Sequence, residues 1–570
     1  MFPPATRAEM NARGWDAADI LLVTGDAYID SPFSGVALIG RALESAGFRV
    51  GVIAQPDPQR PDDIARMGAP RLFWGVTAGC VDSMVANYTA SGRKRRQDDF
   101  TPGGVNTRRP DRATIAYANL IRRVFRPCAP IVIGGIEASL RRIAHYDFWS
   151  DRVRKSLLFD AKADVLVYGM GERVVVELAR RFRDGQDWRG LRGICYAAPA
   201  PPTDALILPA FETVARQPPD DDSRRAFLDM YRLFAANQDS VTARPLAQQT
   251  DTRWLVHPPP APPLTPGELD TIHELPFTGE VHPLDAARGV VRAMDTIRFS
   301  LVTHRGCYGD CSFCAIAAHQ GRRVISRSAA SILSEATRFT RHPKFRGIIP
   351  DVGGPTANMY GFECRRKEGA GACLDRRCLF PEVCRHLPVD HQPQIDLLRR
   401  LRNLPGVRKA FVGSGIRHDL VLADQAHGAD YLEELVAHHV SGQLKLAPEH
   451  HAPSVLRLMG KPGVDGLLVF RGRFEEANRR HGLRQFLTYY FIAAHPGCTE
   501  EDMRNLRAFA TRELKLSPEQ VQIFTPTPST ASTAMYWTGL DPTTNEPVFV
   551  EKRTRNKQAQ KDSLTLGPCR

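Results

Sequence analysis

The sequence predicts an α/β protein in which a doubly wound parallel sheet is followed by a partial parallel barrel. Short apolar runs typical of buried strands alternate with helical patterns from residue 18 to residue 168. The alternation resumes near Ile297 and continues through six strand–helix units. In both architectures ligands bind beside the carboxyl ends of the strands, so we expect the functional residues in the loops that follow them.

The first half of the chain is predicted to form one N-terminal domain over residues 1–198. Glycines recur where its strands end, at Gly25, Gly75, Gly134 and Gly169, which favours a ligand or a domain interface at this edge. The predicted strands are Asp19–Thr24, Phe48–Ala54, Arg71–Val76, Pro130–Ile133 and Ala163–Tyr168, and the clearest helices are Val36–Ala46 and Ala113–Phe125.

Residues 199–290 interrupt this alternation. Proline runs at Pro199–Pro202 and Pro258–Pro263 flank a single helix-like stretch near Arg224–Ala236. Proline removes backbone donors and stiffens the chain, so the segment is predicted to be a connector.

The second half is predicted to form a core barrel over residues 291–540, with a cysteine-rich insertion at 353–392 and a short polar tail at 541–570. Its helices are predicted at Ala329–Thr340, Gln394–Leu404, Ala429–His439 and Glu500–Leu514. Its strands are predicted at Ile297–Thr303, Gly347–Val352, Lys409–Gly413, Gln443–Ala447, Phe486–Ala494 and Gln520–Thr525.

The composition indicates a cytoplasmic protein without a membrane span. There is no apolar run of about 18 residues and no export signal at the start of the chain. The net charge of +13 suggests a nucleic-acid partner, but only 12 of the 76 basic residues are lysine, and they are dispersed. A solvated basic surface is the better interpretation, so nucleic-acid binding is not favoured.

The cysteines are unevenly distributed, with seven of the twelve between Cys307 and Cys384. Cys307, Cys311 and Cys314 form a CxxxCxxC motif directly after the first barrel strand. Three thiolates can bind three irons of a 4Fe–4S cubane and leave the fourth iron open for a ligand. The alternative is a zinc knuckle completed by His304 or His319.

These motifs resemble the radical S-adenosylmethionine superfamily, and within it the YgiQ family, over about residues 15–550. The resemblance implies a 4Fe–4S cluster, S-adenosylmethionine, an N-terminal Rossmann-like domain, a partial TIM-type (β/α)6 barrel and an electron donor such as flavodoxin or ferredoxin. It implies no substrate. The stretches that carry it are Gly25–Asp30, Ile133–Asp147, Cys307–Arg322, Asp351–Tyr360 and Leu444–His450.

The same resemblance suggests further cofactor-binding residues. Gly353 and Gly354 look like the glycine motif whose backbone meets the amino group of S-adenosylmethionine. Ser414 and Arg417 occupy positions where contacts to the ribose or the carboxylate are expected, and Glu449 resembles an acidic residue found after the fourth strand. The stretch Ala494–Gly497 resembles a motif near the adenine.

One departure from related proteins concerns cobalamin. Rossmann-like domains ahead of such barrels often bind it through an Asp-x-His-x-x-Gly loop, whose histidine ligates cobalt. The corresponding loop here, Asp30–Gly35, has no histidine. We therefore expect that the N-terminal domain does not hold cobalamin tightly, although cobalamin can bind without a protein ligand to cobalt.

A second cysteine group lies in the insertion, with the spacing C-x8-C-x4-C-x5-C at Cys364, Cys373, Cys378 and Cys384. A long loop in a compact domain needs function or local order of its own, which a metal can supply. The group suits a four-thiolate zinc site, an auxiliary 4Fe–4S cluster or four free thiols. We favour the auxiliary cluster slightly over zinc.

The sequence thus predicts a radical S-adenosylmethionine enzyme that generates a 5′-deoxyadenosyl radical and acts on an unidentified substrate. Two alternatives stay open. The first is a radical enzyme that modifies RNA, and the second is a non-enzymatic binding protein stabilised by zinc.

Overall fold

The computed structural model describes residues 1–565, which form two compact units. The first comprises Met1–Leu264 and Thr271–Arg298, and the second comprises Thr265–Asp270 and the chain from Phe299 onward. No helix within residues 1–565 combines the length and the hydropathy needed to span a bilayer.

A nine-stranded sheet forms the centre of the first unit, in the order β2-β1-β3-β4-β7-β8-β11-β10-β9. The strands of this unit are β1 Ile20–Thr24, β2 Val50–Ala54, β3 Phe73–Thr77, β4 Ile131–Gly134, β5 His145–Asp147, β6 Arg152–Arg154, β7 Val165–Val167, β8 Ile194–Ala198, β9 Leu206–Leu208, β10 Leu246–Thr250 and β11 Arg253–His257. The first five strands in this order, β2, β1, β3, β4 and β7, are parallel. Every residue of β1 and β2 is buried, as expected for parallel strands covered on both faces.

The helices of the first 298 residues follow the predicted alternation. Apolar residues of α2 and α8 pack with β1 and β2 in one core cluster, which includes Val36, Leu43 and Leu178. The helices are α1 Arg7–Asn11, α2 Gly35–Ser45, α3 Pro61–Ala65, α4 Ser83–Asn87, α5 Ala113–Val124, α6 Ile136–Leu140, α7 Leu157–Asp160, α8 Glu172–Asp184, α9 Phe211–Val214, α10 Asp221–Ala236, α11 Pro266–Glu274, α12 Pro283–Ala286 and α13 Met294–Ile297. The predicted doubly wound sheet is confirmed.

The prediction of a connector over 199–290 is corrected by this sheet. Strands β9, β10 and β11 come from that segment, and β11 pairs antiparallel with β8. Leu246, Ala247 and Leu255 are buried. The prolines lie at the ends of the strands, where a missing donor costs little, so the strands between them can still complete the sheet.

The second unit is an open parallel barrel. Its strands are β12 Leu301–Val302, β13 His304–Arg305, β14 Ile325–Ser326, β15 Ile348–Ile349, β16 Val352–Gly353, β17 Lys409–Ala410, β18 Gln443–Glu449, β19 Phe486–Ala493 and β20 Gln520–Ile523. Parallel pairing joins β12 to β16, β15 to β17, β18 to β19 and β19 to β20, and a bridge from Ile416 to Leu446 joins the third and fourth predicted strands. Consecutive strands are therefore neighbours, which confirms the partial barrel.

Helices follow the barrel strands as predicted. Two of the predicted helices end in π-helical turns, at Leu435–His439 and Ala510–Leu514. The helices of this unit are α14 Ala315–Gln320, α15 Ala329–Thr340, α16 Arg366–Ala370, α17 Gln392–Arg402, α18 His418–Ala423, α19 Gly428–Glu434, α20 Pro453–Met459, α21 Asp465–Arg480, α22 Glu500–Phe509, α23 Ala531–Thr538 and α24 Thr554–Thr565.

The segment predicted as a polar tail forms part of the second unit. Leu564 of α24 is 1% exposed and belongs to the barrel core. Lys557 Nζ donates to Tyr536 Oη at 2.6 Å, and both side chains are buried. The prediction is corrected for residues up to 565, and residues 566–570 lie outside the described part of the chain.

Candidate functional site

The CxxxCxxC loop is fixed between β13 and α14. Gly306 adopts φ +84°, and a Cβ there would lie 1.8 Å from the carbonyl oxygen of Arg323. Only glycine permits the chain to enter the loop at this point. The Cys307 and Cys314 amides donate to the carbonyl oxygens of Gly321 and Cys311, at 3.3 and 3.0 Å. Because the backbone is tied at both ends, the three sulfurs project from a defined loop.

The sulfurs of Cys307 and Cys311 both lie close to Gly309. A methyl group added at Gly309 would lie 3.3 Å from the sulfur of Cys307 and 3.4 Å from that of Cys311. Burial and, to a smaller extent, the neighbouring thiols of Cys311 and Cys307 raise the pKa of Cys314 to about 12. Burial also raises the pKa of Cys307. Thiols of this kind stay protonated until a metal ion displaces the proton.

A buried cation stands beside these thiols. Arg417 is 8% exposed, and one of its terminal nitrogens lies 3.6 Å from the position of a Cβ on Gly309. Its guanidinium holds the Asp419 carboxylate with a fork of two hydrogen bonds, one of them 2.8 Å long. Burial opposes the charge, but Asp419 and the Cys311 and Cys307 thiols outweigh it and hold the pKa of Arg417 above its ordinary value.

Glu449 ends β18 in a left-handed conformation, with φ +69°. It is 9% exposed, and its carboxylate lies 3.7 Å from Lys461 Nζ. Burial raises its pKa, whereas Lys461 and Arg417 oppose that rise. Arg417 and Lys461 both line a small cleft beside this residue, together with Pro448. No sequence pattern singles out Lys461, which reaches the site only through the fold.

The glycine pair leads directly toward the cysteine loop. A Cβ on Gly354 would lie 2.6 to 2.9 Å from three ring atoms of His304, so only glycine fits there. Two residues later, the Thr356 hydroxyl lies 3.7 Å from the Cys307 sulfur. The loop after the second strand and the cysteine loop therefore share one site.

Asp351 lies between β15 and β16 and connects them to the loop that follows β17. It accepts hydrogen bonds from the backbone of Gly413 and Ser414, at 2.8 and 3.0 Å, and from the Ser414 hydroxyl. The proposed ribose contact of Ser414 is not tested by this geometry, but its hydroxyl is already engaged. Sequence reasoning missed Asp351 as the residue that holds Ser414.

The stretch Ala494–Gly497, which follows β19, packs against the cysteine loop. Ala494 has φ +57°, which makes it the second non-glycine residue with positive φ at a barrel strand end, after Glu449. Such strain persists where the surrounding structure enforces it, often at functional sites. The ring of His495 contacts Phe313 edge-to-face, with 6.2 Å between ring centroids, and its Nε2 pairs with Ser532 Oγ at 2.6 Å. Phe313 precedes Cys314, so this contact helps to orient the third thiol.

The second cysteine group lies in an apolar cluster of the same unit. Cys364, Cys378 and Cys384 belong to it, whereas Cys373 is exposed. Within residues 1–565, the one set of three metal-ligand atoms lying within 4.8 Å of one another belongs to Asp390, Asp424 and His427.

The crevice where the first sheet changes winding direction, between β1 and β3, is filled by the chain itself. Arg109 pairs with Asp26 and Asp98 at 2.7 and 3.1 Å and donates to the carbonyl oxygen of Ala78 at 2.7 Å. A Cβ on Gly25 would lie 2.2 Å from that oxygen. All three charged side chains are buried.

Comparison with known proteins agrees with this architecture. Residues 2–300 match the radical SAM N-terminal family, and residues 519–566 match a domain of unknown function, DUF3362. A UPF0313 protein of Fusobacterium nucleatum is 51% identical over 565 residues, covering 99% of this chain and 98% of the relative. A UPF0313 protein of Thermotoga maritima is 49% identical over 567 residues, with the same coverage.

A solved structure shares the fold. It is the radical S-adenosylmethionine methyltransferase TsrM from Kitasatospora setae with cobalamin and a [4Fe–4S] cluster bound. The TM-score is 0.50 at 17% identity, covering 91% of this chain and 77% of that one. The predicted superfamily and fold class are confirmed: the chain belongs to the UPF0313 family and is a radical S-adenosylmethionine enzyme whose reaction is unknown.

Proposed function

We propose that Cys307, Cys311 and Cys314 hold a 4Fe–4S cluster with one iron left for S-adenosylmethionine. When bound, this cluster supplies one electron that breaks a sulfonium carbon–sulfur bond, giving methionine and a 5′-deoxyadenosyl radical that takes a hydrogen atom from the substrate. The observation that carries the proposal is that one short loop holds three half-buried thiols, with the Cys307 and Cys311 sulfurs close to Gly309 and a charged Arg417 beside them.

The residues around the thiols suit such a cluster. Each thiol must lose its proton to bind iron, and the fixed positive charge of Arg417 stabilises the thiolates that result. Gly309 leaves the space between two sulfurs free of side-chain atoms. Asp419 in turn holds the guanidinium in place through two hydrogen bonds.

We further infer that S-adenosylmethionine lies along the carboxyl ends of the barrel strands. Gly353 and Gly354 present backbone without side chains next to the cysteine loop, where the amino acid part of the ligand would bind. Lys461 and Arg417 line the adjoining cleft and can pair with a carboxylate, while Glu449 can accept hydrogen bonds from an amine or a ribose.

We infer also that the first unit does not bind cobalamin, although TsrM does. In open α/β sheets a cofactor binds at the switch point beside the strand ends. Here Arg109 and its two carboxylate partners occupy that crevice. The Asp30 carboxylate, in the loop without the ligating histidine, is held by Arg41 at 3.0 Å and by the Thr278 amide at 3.0 Å.

The experiment is anaerobic reconstitution with iron and sulfide. Dithionite and S-adenosylmethionine are then added, and the 5′-deoxyadenosine formed is measured. We expect the parent protein to form this product and the Cys311→Ala variant to form none, because two thiolates cannot retain the cluster. Cys128→Ser is the control, since Cys128 is a half-buried thiol of the first unit. Product formation at the parent rate by Cys311→Ala would contradict the proposal.

A further inference from the structure

The insertion that carries the second cysteine group has little regular structure to hold it. Between Gly353 and Gln392 the described elements include only one short helix, Arg366–Ala370. Even so, Cys364, Leu379 and Leu387 are buried in one cluster with Tyr308. A loop of this length needs another source of order.

Three of the four cysteines in this insertion pack in or against that apolar cluster. Cys364 is buried, and Cys378 and Cys384 are half-buried members of the same cluster. The Cys384 amide donates to the carbonyl oxygen of Cys378 at 2.8 Å, which draws these two residues together. Cys373 is exposed, and Arg376 lies near both Cys373 and Cys384.

The separation of the sulfurs favours a cluster over a single ion. A zinc ion with four thiolates at about 2.3 Å requires all of the sulfurs to lie within about 4 Å of one another. No three of these cysteines meet even a 4.8 Å limit in the described part of the chain. In a cubane each cysteine binds a different iron, so its ligands lie farther apart and enclose a larger volume.

A buried cation is already present for the negative charge of such a site. Lys367 is 2% exposed, and its Nζ lies 3.0 Å from the Glu363 carboxylate and 2.8 Å from the carbonyl oxygen of Arg322. It also lies beside the Cys378 thiol and 4.7 Å from the centre of the Tyr308 ring. A lysine is seldom buried without a counter-charge. Glu363 provides one here, and a metal-bound thiolate of Cys378 would provide a second.

The two cysteine groups are joined through Tyr308. This residue follows Cys307 in the first motif, and its hydroxyl donates to the carbonyl oxygen of Phe362, two residues before Cys364. The Tyr308 and Phe362 rings also stack, with 5.6 Å between centroids. Cys307 itself packs against the same apolar cluster.

We propose that Cys364, Cys373, Cys378 and Cys384 bind a second 4Fe–4S cluster, which relays electrons to the first cysteine group across Tyr308 and Phe362. A one-electron donor of the flavodoxin or ferredoxin class reduces the second cluster on the side of exposed Cys373. That electron then passes to the first cluster, so one centre is oxidised as the other is reduced. The relay role rests on the function proposed above, whereas the presence of the second cluster does not.

Metal analysis of the reconstituted protein tests the second cluster. We expect about eight irons per chain and no zinc, with Mössbauer spectra typical of two cubanes. The variant with Cys307, Cys311 and Cys314 all replaced by alanine should keep about four irons, and so should Cys364→Ser, whereas Cys128→Ser should keep about eight. Four irons with one zinc, or four irons alone, in the parent protein would overturn the proposal.

The relay role is tested by comparing two reductants. For each variant, the rate of 5′-deoxyadenosine formation with reduced flavodoxin is divided by the rate with dithionite. We expect this ratio to fall at least about tenfold in Cys373→Ser, which changes an exposed residue, and to stay at the parent value in Cys128→Ser. An unchanged ratio in a Cys373→Ser protein that has lost about four irons would refute the relay. If the triple alanine variant keeps its irons but no protein cleaves S-adenosylmethionine, only the function proposed above fails.

Discussion

The Gly354→Ala substitution tests whether the glycine loop is set by close packing. The added Cβ would lie 2.6 Å from Cε1, 2.7 Å from Nε2 and 2.9 Å from Nδ1 of His304. Carbon atoms in contact prefer about 3.5 to 4.0 Å, so the buried ring or the loop must move by about 1 Å. Overpacking of this kind costs about 1–3 kcal/mol.

For a unit of this size, that cost corresponds to a fall in melting temperature of about 2 to 12 °C. If the loop moves instead of the ring, the affinity for S-adenosylmethionine falls by about 5- to 150-fold for the same energy. Thermal unfolding followed by circular dichroism and equilibrium dialysis with S-adenosylmethionine measure the two effects. The double variant with His304→Ala should recover part of the loss, because the smaller side chain removes the contact.

The matched control is Gly472→Ala. Gly472 lies inside α21, and an added Cβ there meets no atom within 4 Å. Alanine in a helix interior is expected to stabilise the protein by about 0.5–1 kcal/mol. If Gly354→Ala melts at the same temperature as Gly472→Ala and binds S-adenosylmethionine normally, the argument from packing is wrong.

Three further predictions concern stability. Arg109→Met should lower the free energy of unfolding of the first unit by about 3–5 kcal/mol in urea titrations, because two buried carboxylates lose their cation. Arg183→Met, at an exposed ion pair, should leave the free energy of unfolding nearly unchanged. Leu564→Ala should lower the free energy of unfolding by about 2–5 kcal/mol because this residue is buried, whereas Leu374→Ala changes an exposed residue and should have little effect. Equal effects of the two substitutions would mean that residues 541–565 do not pack against the second unit. The pKa of Glu434 is held at about 2 by His439, Arg399 and Arg402 in spite of burial, so its stabilisation is present above pH 4.5 and is lost as the pH falls toward 2. Glu434→Gln should therefore flatten the decrease in melting temperature over this range, and an unaltered pH profile would refute that assignment.

The strands and helices of both units were predictable because their signals are local. Apolar runs and helical spacing located β1, β2, β3, β4 and β7 of the first sheet and all six strands of the barrel, with ends shifted by a few residues. The prolines around residues 199–290 misled the analysis because proline reports only on its own backbone position. Whether a strand such as Leu246–Thr250 joins a sheet depends on a partner elsewhere in the chain.

The chemistry proposed for the site was predictable from the sequence, since the spacing of Cys307, Cys311 and Cys314 puts three thiols on one short loop. The sequence did not reveal Lys461, nor Asp351 holding Ser414, nor Arg109 closing the crevice of the first sheet. These contacts form only in the folded chain. The cysteines of a metal-binding motif lie close together in the sequence. A buried ion pair or a close approach to a glycine instead depends on residues that are distant in the chain and meet only when the core packs.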